Sequence, residues 1–367
     1  MQTPKKLRII HTEASPHWGG QEIRIFEEMK WFREKGHEMI LVAPHNGILY
    51  QRCKDAGFDV ISANFTKPKM FFNIFKMLWE IWKLKPDVVA THSSTDSWVS
   101  LIASWSLGVK SRVRYRHVST PVRNNFLNRL LYKKLCNHVV TTAECIKAEL
   151  IKSFKLSSII TQPTPISKPK TLPKKHECRA SILNELGISS DSVLVGQLSV
   201  IRSWKGHELL IKAFKILIKD NPRIHLLFIG SGPHYDVVLS TIKTARLEKN
   251  IHMLGHCEDI WRKLRSLDIL ILASTKNEAI PQSLIQGMLA NVPIVAAKTG
   301  GIPEIIRHNE TGFLFDVKNI EQICSIILTL LNDDKLVNRI TKSAKTFIER
   351  NYNWTKAENS LLDIFCE

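Results

Sequence analysis

The 367-residue sequence contains no run of eighteen apolar residues, no CxxC pair, no DxD and no GxGxxG after its first apolar segment. The first absence removes the expectation of a membrane-spanning helix. The seven cysteines are scattered and odd in number, which argues against a zinc site or a disulfide scaffold and for reduced thiols in a cytoplasmic compartment. The missing glycine motif removes the dinucleotide fingerprint of dehydrogenases. Without DxD no bound metal is expected. The first apolar stretch, Leu7–Ile10, soon meets His11 and Glu13, so it reads as a strand and not as a signal peptide.

What is present is ordinary for a globular chain, with 44% hydrophobic and 23% charged residues. The length favours two cores over one. The charge is uneven. Residues 1–175 hold 29 Lys and Arg against 13 Asp and Glu, a balance of +16, while residues 176–367 hold 23 against 21, a balance of +2. A basic half attracts nucleic acid, anionic lipid or a phosphorylated acceptor. No helix-turn-helix and no aromatic-basic platform is visible, so nucleic acid is not expected as a partner.

Short apolar strands alternate with helical segments from Leu7 to Thr141, the signature of a parallel sheet covered by helices on both faces. Gln162–Lys175 carries four prolines and no helical period, and is the best linker candidate. The alternation then restarts at Val193. The expected division is 1–165, a linker at 166–190, a second domain at 191–345, and a C-terminal helical segment at 346–367.

Several loops at strand ends carry chemistry. Gly19 and Gly20 let backbone approach a ligand, and the helix that follows would favour an anion; a plain turn needs the same glycines. Arg202 and Lys205 sit between a strand and a helix, where cations oppose the helix dipole and could neutralise a diphosphate instead. Gly230 and Gly232 form a second glycine turn, and His256 follows the next strand and could face a base. In the segment Ala273–Glu304, Glu278 is followed eight residues later by Gln286, then by the strand-like run Val292–Ala297 and the turn Gly300–Gly301. Polar groups before a strand and a glycine loop after it suit a sugar joined to a nucleotide.

In the first half, Arg112, Arg114 and Arg116 alternate before His117 and could offer an anionic acceptor one strand face. Phe71–Leu84 is apolar on most of its circumference, with Asn73, Lys76, Glu80 and Lys83 on a narrow polar face. It can pack in the core, or its aromatics and the flanking Lys67, Lys69 and Lys85 can anchor at a membrane interface.

Taken together, Gly19-Gly20-Gln21-Glu22, Gly36-His37, Pro86-Asp87 and Arg116-His117, then Arg202, Lys205, Gly206, the Gly230–Pro233 turn, Gly255-His256, Asp268 and Glu278 through Glu304 resemble glycosyltransferase family 4 in order and spacing. The resemblance covers nearly the whole chain. It implies an α/β GT-B fold: two doubly wound, Rossmann-like domains facing a central cleft, with the C-terminal helix crossing back to the first domain. It implies a nucleoside diphosphate sugar donor bound by the second domain, a glycan or glycolipid acceptor held by the first, and transfer with retention of configuration, in cell-surface glycan or lipopolysaccharide biosynthesis. No cofactor beyond the donor is implied, and diphosphate charge would be met by cations and helix N-termini instead of a metal. Glu278, Arg202, Lys205 and His117 are implied at the reacting centre. Gly19, Gly20, Gly230, Gly232, His256, Ile280, Gln282, Ser283, Gln286, Gly300 and Gly301 are implied around the nucleotide-sugar. Where the family carries a second acid, this chain has Gln286, whose amide can both accept from and donate to ribose hydroxyls. A GT-B epimerase or phosphorylase is the alternative. The expected location is the cytoplasm, free or on the inner face of the membrane.

Overall fold

The computed structural model describes residues 6–66, 70–276 and 278–366. It divides into two compact units. The first runs up to Pro165 and takes in the chain from Trp354 onward; the second is Ile166–Asn353.

The first unit is built on β1 (Arg8–Thr12), β2 (Glu38–Ala43), β3 (Asp59–Ser62), β4 (Val88–Thr91), β5 (Ser111–Arg116), β6 (His138–Thr141) and β7 (Ile159–Thr161). They form one parallel sheet in the order β3-β2-β1-β4-β5-β6-β7. β4 is buried at every position, as a strand covered on both faces must be. One face of the sheet packs on Ile25, Met29 and Phe32 of the helix Gly20–Glu34 and on Leu361, Ile364 and Phe365 of the last helix, Trp354–Phe365. The other packs on Met77 and Ile81 of Met70–Leu84 and on Val99 and Ala103 of Ser94–Ser106.

The second unit uses β8 (Val193–Leu198), β9 (Ile224–Ile229), β10 (Ile251–Gly255), β11 (Ile269–Leu272), β12 (Ile294–Ala297) and β13 (Phe313–Phe315), in the parallel order β10-β9-β8-β11-β12-β13. Both sheets therefore reverse direction beside their first strand, between β1 and β4 and between β8 and β11. Ligands of doubly wound folds bind beyond the strand ends at such a reversal.

Three sequence expectations need correction. The segment 166–190 is not a bare linker: it contains the helix Lys175–Leu186, whose Cys178, Ile182 and Leu183 are buried in the second unit. Proline content marks where a helix cannot run, and here the prolines stop just before it. The C-terminal segment does not begin crossing at 346, because the helix Asp334–Asn351 stays with the second unit and the chain changes unit at Trp354. In Met70–Leu84, Asn73 is buried and donates to the Asn64 carbonyl, so it is not part of a solvent face. The exposed face is instead Phe72, Phe75, Trp79 and Trp82, each just before one of the four polar positions. Lys67 and Lys69 lie outside the described residues.

Candidate active site

In the second unit the two loops at the sheet reversal are laced together. After β8 the chain makes a turn of 3-10 helix at Ser203–Lys205 and enters the helix His207–Asp220 through Gly206. After β11 it runs through Ser274 and Thr275 to Glu278. Gln197 of β8 links the two: its amide oxygen accepts from Ala273 N at 3.0 Å and its amide nitrogen donates to the Lys205 carbonyl at 3.1 Å. Thr275 N donates to the Trp204 carbonyl at 2.7 Å. Gly206 has φ +75°, and a Cβ there would lie 1.9 Å from the Ala273 carbonyl oxygen. Only glycine allows this approach.

The result is an ion pair between residues far apart in sequence. Lys205 Nζ reaches Glu278 Oε1 at 2.5 Å, and the Ser274 hydroxyl donates to the same oxygen at 2.5 Å. Glu278 is 5% exposed, so its charge has been taken out of water and is held by Lys205 and Ser274. Gly300, at φ +55°, closes the site from the β12 side: a Cβ there would sit 2.0 Å from the Glu278 carbonyl oxygen, and Gly301 N donates to that oxygen at 3.2 Å. Arg202 is exposed, with its guanidinium 5.2 Å from the Trp204 ring centre. Next to Lys205, His207 is buried with Nδ1 unpartnered, and burial pushes its pKa down to about 4.

The remaining second-unit candidates are arranged around this pair less tightly. Ile280 is buried beside the loop; Gln282, Ser283 and Gln286 lie on the helix Gln282–Leu289 and are half-buried. Gln282 and Gln286, four residues apart, share one helix face. Gly230 and Gly232 follow β9, but the space a side chain would fill is already taken by the carbonyls of Ser199 and Ile201, at 2.1 and 2.4 Å. Their smallness thus serves the protein's own backbone. His256 is exposed past the edge strand β10.

The first unit has its own cluster at the β1/β4 reversal. His11 Nδ1 lies 2.9 Å from His92 Nε2, and His92 Nδ1 lies 2.9 Å from His117 Nε2. Burial holds both His92 and His117 well below the usual histidine pKa, helped at His92 first by its two neighbouring histidines and then by arginines, and at His117 by arginines. Asp96 accepts from the Thr12 hydroxyl at 2.7 Å and from His92 N at 3.0 Å; burial, followed by the charge of Glu13, pushes its pKa up to about 7.

Two expectations change here. The backbone N–H of Gly19 donates to Glu22 Oε2 at 2.9 Å, and Glu13 lies on the same loop, so carboxylates occupy the place given to an anion beside Gly19 and Gly20. The arginines of β5 offer no anion face either. Arg112 donates to the Leu135 and Val109 carbonyls, Arg114 to those of Thr91 and Tyr115, and Arg116 to that of Thr120. Alternation placed them on one strand face, but the protein's own carbonyls took their donors first.

Sequence reading did not find Ser274, Gln197, His11, His92 or Asp96. The only local signal was position: each lies in or just after a strand at the sheet reversal, or, for Asp96, in the first turn of the helix that follows one.

Comparison with known proteins decides the family. The family described as Glycosyltransferase Family 4 matches residues 18–167, and Glycosyl transferases group 1 matches residues 179–347. The chain belongs to glycosyltransferase family 4. It is a glycosyltransferase of the GT-B fold. An uncharacterized glycosyltransferase of Methanocaldococcus jannaschii is 26% identical over 98% of both chains. A UDP-Gal:alpha-D-GlcNAc-diphosphoundecaprenol alpha-1,3-galactosyltransferase of Escherichia coli is 22% identical over 100% of this chain and 98% of its own. The fold of Anabaena HepE, solved in complex with UDP, superposes with a TM-score of 0.81 at 17% identity over 98% of this glycosyltransferase and 99% of HepE.

Proposed function

We propose that this glycosyltransferase moves a sugar from a UDP-sugar to an acceptor hydroxyl at a membrane-borne glycan or glycolipid, with retention of configuration. The observation that carries the reading is the Lys205–Glu278 pair at the β8/β11 reversal. A departing diphosphate gathers negative charge, and a preplaced ammonium stabilises that charge without reorganising. Lys205 fills that role, with Arg202 beside it on the exposed loop. Glu278 holds Lys205 in place and orients the sugar, and Gln286 binds the ribose. His117 contacts a substrate hydroxyl from the first unit. These cations and the N-terminus of the helix His207–Asp220 do the work a metal does elsewhere.

The choice of UDP draws on HepE, and the lipid-linked acceptor on the E. coli relative. The exposed Phe72, Phe75, Trp79 and Trp82 supply the means of staying at a membrane, since a contiguous aromatic strip beside basic residues suits an interface. Cell-surface or lipopolysaccharide glycan assembly follows from such an acceptor.

A thermal-shift series with UDP, GDP and ADP and their common sugars tests the donor. Ligand at a hundred times its Kd adds about 2.7 kcal/mol to stability, enough to read as a raised Tm. UDP compounds should stabilise and the others should not. No shift with any nucleotide would sink the reading. Sedimentation with anionic vesicles tests the membrane arm: Trp79→Ser with Trp82→Ser should release the protein, and unchanged binding would remove that arm.

A further inference from the structure

His11 lies on β1, His92 directly after β4 and His117 directly after β5, on three neighbouring strands. Their rings stack in a row, with His11 and His92 at 5.2 Å and 23°, and His92 and His117 at 5.2 Å and 22°. His11 and His92 are buried; His117, half-buried, is the open end. At the closed end stands Glu28, from the helix Gly20–Glu34. Its Oε1 lies 4.0 Å from His11 Nε2 and accepts from the Tyr115 hydroxyl at 2.6 Å, while its Oε2 accepts from Arg24 Nε at 3.3 Å. The groups facing the row are therefore Arg24 and Glu28 from that helix, Arg114, Tyr115 and Arg116 from β5, and Asp96 from the helix Ser94–Ser106.

A neutral imidazole has one N–H and one bare nitrogen. Each nitrogen–nitrogen contact needs one of each. Three rings joined by two such contacts can then take only two arrangements, all donating from Nε2 or all from Nδ1. The second would set a bare His11 Nε2 against the Glu28 carboxylate, lone pair to anion. The first sets an N–H dipole toward it. Nothing else satisfies that nitrogen: His11 Nε2 has no hydrogen-bond partner. With few competing dipoles in the buried site, the carboxylate decides the direction of the whole row. Burial lowers the pKa of all three rings, against the pull of Glu28 on His11 and with the help of the neighbouring rings and arginines at His92 and of arginines at His117, so the row stays neutral at ordinary pH.

We propose that His11, His92 and His117 form a relay polarised by Glu28, which leaves His117 Nδ1 bare, so that His117 accepts a hydrogen bond from a substrate hydroxyl and cannot donate one. His11, His92 and Glu28 are then positioning residues that set the specificity of a contact they do not make. The claim about substrate rests on His117 touching it, as proposed above; the tautomer does not.

Long-range proton–nitrogen NMR on the full chain, labelled with nitrogen-15 histidine, reads the tautomer directly, with His117→Gln assigning the signals. Wild-type protein near neutral pH should show a bare His117 Nδ1 and a protonated Nε2. A protonated His117 Nδ1 would overturn the relay. His92→Phe keeps a ring in the stack but cuts the row, and His117 should drift to the mixed signal of a free imidazole; an unchanged signal would show that the row does not hold it. Glu28→Gln should likewise shift all three histidines, and unshifted signals in a folded variant would remove Glu28 from the account. If that variant does not fold, wild type and His92→Phe decide. Unchanged sugar transfer in His117→Ala, with the expected tautomer, would sink the substrate contact and leave the relay standing.

Discussion

The two units share one order over six strands, with a seventh only in the first, yet their reversal points are furnished in opposite ways. The second unit places an ion pair there, the half-buried Lys205 with the buried Glu278. The first places a row of uncharged rings, His11, His92 and His117, with its carboxylates at the margins. A fixed cation suits a leaving group that arrives with charge. Neutral imidazoles suit a hydroxyl that has to be oriented without being ionised. One sheet topology thus carries two kinds of side-chain cluster, set by the residues at and just after the strand ends.

The comparison breaks most sharply at the pair. Lys205→Ala should lower turnover by on the order of a hundredfold or more, if the ammonium meets transition-state charge. It should also destabilise the second unit, by roughly 3 kcal/mol or less, because the buried Glu278 carboxylate would keep only the Ser274 hydroxyl. Steady-state kinetics and denaturant unfolding read the two effects separately; normal kcat would remove Lys205 from the chemistry. Next in size is Gly300→Ala. It forces a Cβ against the Glu278 carbonyl at a positive φ and should cost roughly 2–4 kcal/mol by thermal unfolding. No comparable loss is expected from Gly19→Ala, where a Cβ would come only within 3.3 Å of the Glu22 side chain.

A smaller effect sharpens the first unit. Asp96 has its pKa raised from 3.8 to about 7, chiefly by burial and then by Glu13. Its stabilising contribution is complete below 3.8, where folded and unfolded forms are both protonated. That contribution is lost as pH rises through about 7, where the folded chain must carry a buried carboxylate. Asp96→Asn should therefore raise Tm above about pH 7 and give no gain as the pH falls toward 3.8; a gain independent of pH would refute this. Smallest is Gln286→Glu. A charged acceptor in place of a neutral one should tighten UDP by about tenfold or less, as titration calorimetry would show. Loss of all binding would argue against a ribose contact.

Much of the fold was legible because its signals are local. Alternating apolar runs gave both parallel sheets, and the loop position of Arg202 and Lys205 was plain from a strand followed by a helix. The segment 166–190 misled because prolines mark where a helix cannot be, and Lys175–Leu186 begins after the last of them. The arginines of β5 misled because alternation reports which face a side chain takes, but not whether the protein's own carbonyls already claim it. The aromatic face of Met70–Leu84 was blurred because the whole helix is apolar, so composition did not say which side the sheet would cover.

By itself the sequence determined the class of protein, the strand-helix alternation and the residue types at strand ends. Backbone propensity and the spacing of apolar residues act over a few positions, and a single chain displays them. Only the tertiary structure decided which of those residues meet. Lys205 and Glu278 are 73 positions apart, and His11 and His92 are 81 apart. Their contacts exist because the strand order sets β11 beside β8 and β4 beside β1. What a glutamate or a histidine does there depends on the charge and water left around it once the strands are paired.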